Sequence, residues 1–214
     1  MAAKSTLKNM VVCLTLTCLL CSSILGVVYA VTLDPIAEAS EKSLKEALSM
    51  VLPEGEISTE PQTVEVDGLE YEYYSCTVDG EPAAWAVKST VNGFGGPLTV
   101  LVGVEKDGTV HATKVLSHSE TPGLGAKCQT DGHFISQFEG FDPSSRKLSV
   151  KKDGGDVDAI TASTITSRAY TLAVANAVNA VTASIAKSPD GGVQEGNEAE
   201  SDGIEIISGG QGNE

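Results

Sequence analysis

The interpretation of this chain starts from one stretch, Val157-Asp158-Ala159-Ile160-Thr161-Ala162-Ser163-Thr164-Ile165-Thr166-Ser167-Arg168. It places four hydroxyls within residues 161–166, with the acidic Asp158 before them and the cation Arg168 after them, and an Ala-rich apolar run, residues 169–186, follows. Hydroxyls in front of a helix join the free N–H groups and partial positive charge of the helix N-terminus, and this combination suits a phosphate. Helix capping is the alternative, but capping needs only one hydroxyl. The pattern therefore favours a phosphate site.

A second informative stretch is His118-Ser119-Glu120-Thr121-Pro122-Gly123-Leu124-Gly125-Ala126-Lys127. One Pro and two Gly predict a shaped loop that no regular element would tolerate. Its Thr, backbone amides, apolar Leu and terminal Lys suit a flat polar ring system. His118 with Glu120 suggests a metal pair instead, but two ligands are too few for a convincing site and no third is evident. The sequence therefore predicts no metal.

Both stretches resemble motifs of the covalent FMN-binding-domain family. In the acceptor motif, Asp158 matches the acidic position, Thr161 the Ser/Thr position and Thr164 the Thr that bonds FMN through a phosphoester. Ala162 stands where the family usually has Gly, and Ser163 where it usually has Ala. If that Gly needs a positive φ, Ala162 would be strained.

The resemblance implies which residues bind the cofactor. It implies that the loop lies at the isoalloxazine ring and that a separate flavin transferase attaches FMN to Thr164, using FAD. It implies no catalytic residue, since such a subunit passes electrons and converts no substrate alone. The predicted contacts around the attached FMN are Glu120, Thr121, Leu124, Gly125, Lys127, Thr161, Ala162, Ser163, Ile165 and Thr166.

Within the family, the chain most resembles the G subunits of Rnf-type complexes, which are ion-translocating ferredoxin:NAD oxidoreductases. The C subunits of sodium-pumping NADH:quinone reductases share both motifs and are the alternative. The resemblance implies redox partners in neighbouring membrane subunits. A membrane-anchored binding module without redox function, whose hydroxyls only cap a helix, is the alternative from a different class.

The N-terminal part predicts a membrane anchor. Residues 9–33 carry no charge, and a membrane helix needs about 20 apolar residues. Lys4 and Lys8 precede the run, so the positive-inside rule places residues 1–8 in the cytoplasm and the following domain outside, on the periplasmic side of an inner membrane. A cleaved signal peptide ending near Ala30 is the alternative, but the apolar run is longer than such signals need. The net charge of −15 excludes nucleic acid as an expected partner.

The remaining chain predicts an α+β fold. Residues 34–52 have the spacing of an amphipathic helix that continues the anchor or docks on the domain, ended by Pro53. Turn signals such as Asp67-Gly68 separate predicted strands, so we expect an antiparallel sheet with packed helices in one extracytoplasmic FMN-binding domain, residues 34–187. The predicted strands are residues 63–66, 69–78, 83–91, 98–104, 109–117 and 148–150.

Helical spacing predicts which faces pack inward. In residues 34–52, the apolar face includes Ile36, Leu44, Leu48 and Val51. Residues 131–138 predict one short helix. The apolar run at 169–186 predicts a helix that packs inward, because its larger apolar residues recur every three or four positions: Tyr170, Val174, Val178, Val181 and Ile185. The glycine-rich segment 92–97 permits a close approach to a ligand, but alone it is a weak signal.

Four smaller features complete the predictions. Cys76 and Cys128 form either one disulfide or two buried thiols. His111 and His133 are expected to lack partners. Lys147, Lys151 and Lys152 predict a solvated basic face. Residues 188–214, rich in acidic residues and without Lys or Arg, predict a disordered tail.

Overall fold

Helix α1 (Leu7–Val51) joins the predicted anchor and the predicted amphipathic segment into one continuous helix, with Pro35 inside it. The computed structural model describes residues 7–58 and 60–185. The first six residues and the acidic tail predicted for 188–214 lie outside the described residues. By length and composition, α1 is able to cross a membrane, and its most apolar window is not buried against the domain.

Only the last turns of α1 pack on the domain. Ala47, Leu48 and Val51 are buried, whereas Ile36, which the periodicity placed on the same face, is 65% exposed. At about 1.5 Å per residue, Ile36 lies roughly 17 Å along the helix from Ala47. The helix therefore meets the sheet with its C-terminal end and extends away from it.

The domain contains a six-stranded antiparallel sheet. Its strands are β1 (Glu56–Ile57), β2 (Gln62–Val66), β3 (Leu69–Val78), β4 (Glu81–Asn92), β5 (Pro97–Glu105) and β6 (Val110–His118). Their order in the sheet is β1-β3-β4-β5-β6, and β2 also pairs with β3. The Asp67-Gly68 hairpin between β2 and β3 is confirmed, with φ angles of 54° and 75° that suit a tight turn between twisted strands.

The two faces of the sheet carry different cores, because neighbouring side chains on a strand point to opposite faces. On one face, Tyr73 and Val87 belong to the large core that includes helix α4 (Thr164–Ala183). On the other face, Tyr74 packs with small residues and the end of α1. A Cβ at Gly103 would overlap the Val51 carbonyl oxygen, so this position requires Gly for the close approach of α1.

The chain between the sheet and α4 contains short elements. Helices α2 (Lys127–Thr130) and α3 (Gly132–Ile135) precede a 3₁₀ turn, Ser136–Phe138, in the region where one short helix was predicted. The predicted strand at 148–150 is wrong: only an isolated bridge joins Val150 to Val157. A second 3₁₀ turn, Lys151–Asp153, follows directly in the chain.

Helix α4 packs inward as its spacing predicted. Tyr170, Val174, Val178 and Val181 are all buried against the sheet, and Phe134 and Phe138 pack on the Tyr170 ring. The helix begins at Thr164, earlier than the predicted start at 169. Thr is tolerated in the first turn because the first four N–H groups of a helix have no partner within it.

Two cysteine and histidine predictions are resolved by the fold. Cys76 and Cys128 are free, buried thiols on opposite faces of the sheet. The expectation that His111 lacks a partner is wrong, because its Nδ1 lies 2.9 Å from Glu105 Oε1. His133 lies in α3, one turn before the 3₁₀ segment.

Candidate functional site

A cavity of about 350 Å³ lies where the two informative stretches meet. One wall comes from the loop after β6 and the other from the turn that begins α4. Its lining residues are Phe94, Glu120, Thr121, Leu124, Gly125, Ala162, Ser163, Thr164, Ile165 and Thr166. The structure thus brings together every predicted cofactor-binding residue except Thr161 and Lys127, which are exposed and do not line the cavity, and it adds Phe94.

The first wall, which we call the ring loop (residues 119–125), is held by Glu120. This side chain is only 5% exposed, and its Oε1 accepts a 2.7 Å hydrogen bond from the Phe94 N–H. The Glu120 N–H in turn donates to His118 Nδ1 at 3.2 Å, and His118 Nε2 lies 3.2 Å from Gln129 Oε1. His118 and Glu120 are therefore engaged in building the loop, and the part of the chain that the structure describes holds no cluster of three metal ligands.

Glycine lets the ring loop and its neighbours approach closely. A Cβ at Gly125 would overlap Glu120 Oε2 and lie 2.8 Å from Thr166 Oγ1. A Cβ at Gly93 would overlap Glu120 Oε1, and one at Gly95 would overlap the Ser119 carbonyl oxygen. The sequence marked the glycine-rich segment 93–96 only as a weak signal, yet it supports the buried carboxylate and brings Phe94 to the cavity.

The second wall, which we call the acceptor turn (residues 160–167), is closed by Ser167. Its hydroxyl donates to the Ser163 carbonyl at 3.0 Å and accepts from the Ile160 N–H at 2.9 Å. Ala162 between them has φ +63°, the left-handed conformation in which a residue other than Gly is strained. A left-handed conformation costs a non-Gly residue about 1–2 kcal/mol. Sequence reasoning missed the role of Ser167, which no local pattern distinguishes from an ordinary helical serine.

The four candidate hydroxyls have different surroundings. Thr161 is exposed outside the cavity, and Thr166 is 1% exposed. Ser163 is 6% exposed and its Oγ is buried without a hydrogen-bond partner among the described residues. Only Thr164 is half-exposed and lines the cavity. Among the four candidates, Thr164 therefore presents the most accessible hydroxyl that lines the cavity.

The N-terminus of α4 has no side-chain cap among the described residues. Ser163 occupies the N-cap position with φ −134° and makes no capping hydrogen bond from its side chain. The alternative in which these hydroxyls only cap the helix is therefore not supported by the geometry. The N–H groups of the first turn face the same end of the helix as the hydroxyls, which is the arrangement that favours an anion.

Cations approach this end of the helix from the turn Lys151–Asp153. Lys152 Nζ lies 3.1 Å from Thr164 Oγ1, and Lys151 pairs with Asp158 at 2.7 Å. Lys147, Lys151 and Lys152 are exposed, as the predicted solvated basic face requires, and two of these lysines also contact the acceptor turn and Asp158. Their role was missed because the contacts join residues that are seven and twelve positions apart in irregular backbone.

Burial shifts the pKa of Cys128, which follows the ring loop in the sequence. Desolvation, with a smaller contribution from the charge of Glu120, raises the pKa of Cys128 to about 11. This thiol is fully buried and stays protonated near neutral pH. The cavity itself has an apolar rim of Phe94, Leu124 and Ile165, and its lining residues carry two buried polar oxygens, Glu120 Oε2 and Ser163 Oγ, without a described partner.

Comparison with known proteins agrees with both halves of this site. A family model described as FMN-binding domain matches residues 93–179. The G subunit of the ion-translocating oxidoreductase complex of Vibrio atlanticus is 34% identical over 183 residues, covering 78% of this chain and 88% of that protein. The corresponding G subunit from Shewanella baltica is 33% identical over 179 residues, covering 77% and 84%.

Solved structures are also similar. The C subunit of the Na⁺-translocating NADH-quinone reductase of Parabacteroides distasonis is 22% identical, covers 69% of this chain and 84% of that one, and has a TM-score of 0.45.

Proposed function

This chain belongs to the family of G subunits of ion-translocating oxidoreductase complexes, and we propose that it is the electron-carrying flavoprotein of such a complex. We propose that its FMN is bonded to Thr164 through a phosphoester. The single observation that supports this most is the cavity. It unites the ring loop with the acceptor turn and leaves the Thr164 hydroxyl accessible at its rim.

The residues present fit a flavin. A flat, largely apolar ring with polar edges needs apolar contacts and a few hydrogen-bonding groups, as cofactor sites generally provide. Phe94, Leu124 and Ile165 supply exposed apolar surface at the cavity. Glu120 Oε2 and Ser163 Oγ are buried polar atoms that lack partners among the described residues, which is costly unless a ligand completes them.

The attached cofactor would supply one- or two-electron redox chemistry, while this chain supplies position and electrostatics. A phosphoester at Thr164 leaves the ring free to enter the cavity beside the ring loop. Ser167 holds the acceptor turn through its two hydrogen bonds, and the inward packing of α4 fixes the helix start. The rigidity of both walls would keep the ring at one distance from its redox partners.

Attachment requires a group transfer that this chain does not perform alone. The Thr164 oxygen displaces AMP from the FMN phosphorus of FAD. The Oγ1–P bond forms, the P–O bond to AMP breaks, and the hydroxyl proton leaves. A separate flavin transferase would catalyse this step, and the half-exposed Thr164 is accessible to it, unlike the buried Ser163.

The decisive experiment asks whether flavin remains bonded after unfolding. The full-length chain, produced together with a flavin transferase, should be yellow and should show flavin fluorescence in a denaturing gel. A tryptic peptide containing Thr164 should carry the mass of one FMN phosphoester. Colour lost on denaturation would indicate noncovalent flavin, and absence of colour would favour the binding module without redox function.

We further propose a single-pass arrangement in the inner membrane. Residues 1–8 would lie in the cytoplasm, 9–33 would cross the bilayer, and the domain at 34–187 and residues 188–214 would lie outside. The charge asymmetry around the apolar run supports this orientation. Other proteins of the complex and membrane lipid would contact α1, whose apolar surface is exposed in the structure.

A cysteine placed in the tail tests this orientation. In intact spheroplasts, a membrane-impermeant thiol reagent should label a Ser201→Cys protein. The unmodified chain is the control, because Cys76 and Cys128 are buried and Cys13, Cys18 and Cys21 lie within the proposed span. Labelling that appears only after lysis would reverse the proposed orientation.

A further inference from the structure

The turn Lys151–Asp153 meets the acceptor segment through three consecutive side chains. Lys151 Nζ lies 2.7 Å from Asp158 Oδ2. Asp153 accepts two hydrogen bonds from Arg168, from Nε at 2.6 Å and from the terminal nitrogen at 2.7 Å. Between these two ion pairs, Lys152 extends its ammonium to Thr164 Oγ1 at 3.1 Å.

The two flanking ion pairs fix the turn and leave Lys152 without a carboxylate partner among the described residues. A bidentate Arg–carboxylate pair is geometrically specific, and it joins the turn to the first helical turns of α4. The Arg168 hydrogen bond is also the main cause of the lowered pKa of Asp153, with a smaller contribution from Lys152. Among the described residues, Lys151 and Arg168 are paired with carboxylates, whereas Lys152 makes no such ion pair.

We propose that Lys152 is the cation that binds the phosphate bonded to Thr164, and that Asp158 positions it by holding Lys151. This inference rests on the proposed attachment of FMN at Thr164. The family resemblance gave Asp158 only a place in a motif, and the geometry now gives it a physical task. The chain carries a net charge of −15, so a new phosphodiester charge needs a local cation.

The same contact would assist attachment. Negative charge on the phosphoryl oxygens must be stabilised while the Thr164 oxygen bonds phosphorus and AMP departs. A positioned ammonium beside that oxygen supplies such stabilisation before the reaction begins. Once the diester has formed, its remaining charge stays next to Lys152 and to the unpaired N–H groups at the start of α4.

The test measures the rate at which the full-length, flavin-free chain in detergent gains the FMN mass from FAD and a purified flavin transferase. Lys152→Gln should slow the reaction at least fivefold, and Lys152→Arg should stay within about twofold of the original rate. Lys147→Gln is the matched control, since it removes an exposed lysine of the same basic cluster that has no described contact with Thr164. Equal rates for Lys152→Gln and Lys147→Gln would overturn the proposal.

Three further readouts separate this role from others. Lys152→Met, which keeps the aliphatic stem, should repeat the loss if the Gln variant melts early. Asp158→Asn should slow transfer, yet add nothing in the Lys152→Gln background; additive effects would refute positioning through Lys152. In fully modified protein, the ³¹P resonance of the diester should move on Lys152→Gln, and an unmoved resonance would mean that Lys152 serves only recognition by the transferase.

Failure of the underlying function is distinguishable. If the original chain gains no FMN mass, both the proposed attachment of FMN and the proposed role of Lys152 are wrong. If the original chain is modified at Thr164 and Lys152→Gln is modified at the same rate, only the role of Lys152 falls.

Discussion

The two walls of the cavity are built on different physical principles. The ring loop depends on backbone approach: Gly93, Gly95 and Gly125 each face atoms that any Cβ would strike, and a buried Glu120 joins their segments. The acceptor turn depends on side-chain hydrogen bonds, with Ser167 closing it and Lys152 reaching its exposed oxygen. Substitutions in the ring loop should therefore shift the spectrum or the potential of the flavin while FMN stays attached. Loss of the Thr164 hydroxyl from the acceptor turn should abolish attachment altogether.

The largest expected effect is the loss of attachment in Thr164→Val, which is nearly isosteric and lacks the hydroxyl. The expected result is no FMN mass on any peptide of the variant made alongside its flavin transferase. Ser163→Ala is the neighbouring control and should remain modified, because the Ser163 Oγ is buried and the replacement restores the residue usual in the family. A fully modified Thr164→Val protein would remove Thr164 as the acceptor.

Leu124→Asp tests the ring loop without touching attachment. A carboxylate at this rim position disfavours the more negative, reduced flavin, so the reduction potential should fall by roughly 30 mV or more, about 1.4 kcal/mol for a two-electron couple. FMN should stay bonded. Leu172→Asp, a similarly exposed leucine of α4 outside the cavity, is the charge-matched control. Equal potentials in the two variants would argue against contact between Leu124 and the ring.

Gly125→Ala asks whether close packing defines the ring loop. The new methyl would overlap Glu120 Oε2, so we expect a loss of about 1–3 kcal/mol in unfolding free energy and a shifted flavin spectrum, with FMN still attached. Gly132→Ala is the control, since no atom lies within 4 Å of its added Cβ. Thermal unfolding of the full-length chain in detergent measures both; similar melting temperatures would contradict the steric account.

The smallest expected effect is at the acceptor turn's own strained residue. Ala162→Gly relieves a left-handed residue at φ +63°. That relief of about 1–2 kcal/mol is partly offset by the greater freedom of Gly in the unfolded chain, about 0.4–1 kcal/mol. We therefore expect a net gain of roughly 0.5–1 kcal/mol, seen as a higher melting temperature.

The matched control should change the free energy of unfolding in the opposite direction. Ala175→Gly, the same substitution inside helix α4, should cost about 0.5–1 kcal/mol because Gly destabilises helix interiors. If both variants lowered the melting temperature equally, the positive φ at 162 would carry no strain.

Much of the fold followed from local patterns. The hairpin at Asp67-Gly68, the alternating strands and the three-to-four spacing of Tyr170, Val174 and Val178 depend on neighbours in sequence, and the structure confirms them. The strand at 148–150 and the start of α4 were wrong because they depend on what packs beside them. Residues 148–150 keep only the bridge from Val150 to Val157, and the chain turns directly after them at Lys151–Asp153, where Asp153 pairs with Arg168.

The sequence by itself determined the two motif stretches, the apolar anchor and the identity of Thr164 as the candidate acceptor. Only the tertiary structure decided that the stretches share one cavity, that Ser163 is buried while Thr164 is accessible, and that Lys152 lies beside the acceptor oxygen. The physical reason is the sequence distance over which each kind of interaction acts. Periodicity and turn chemistry act over a few residues, whereas burial and ion pairing depend on segments that only folding brings together.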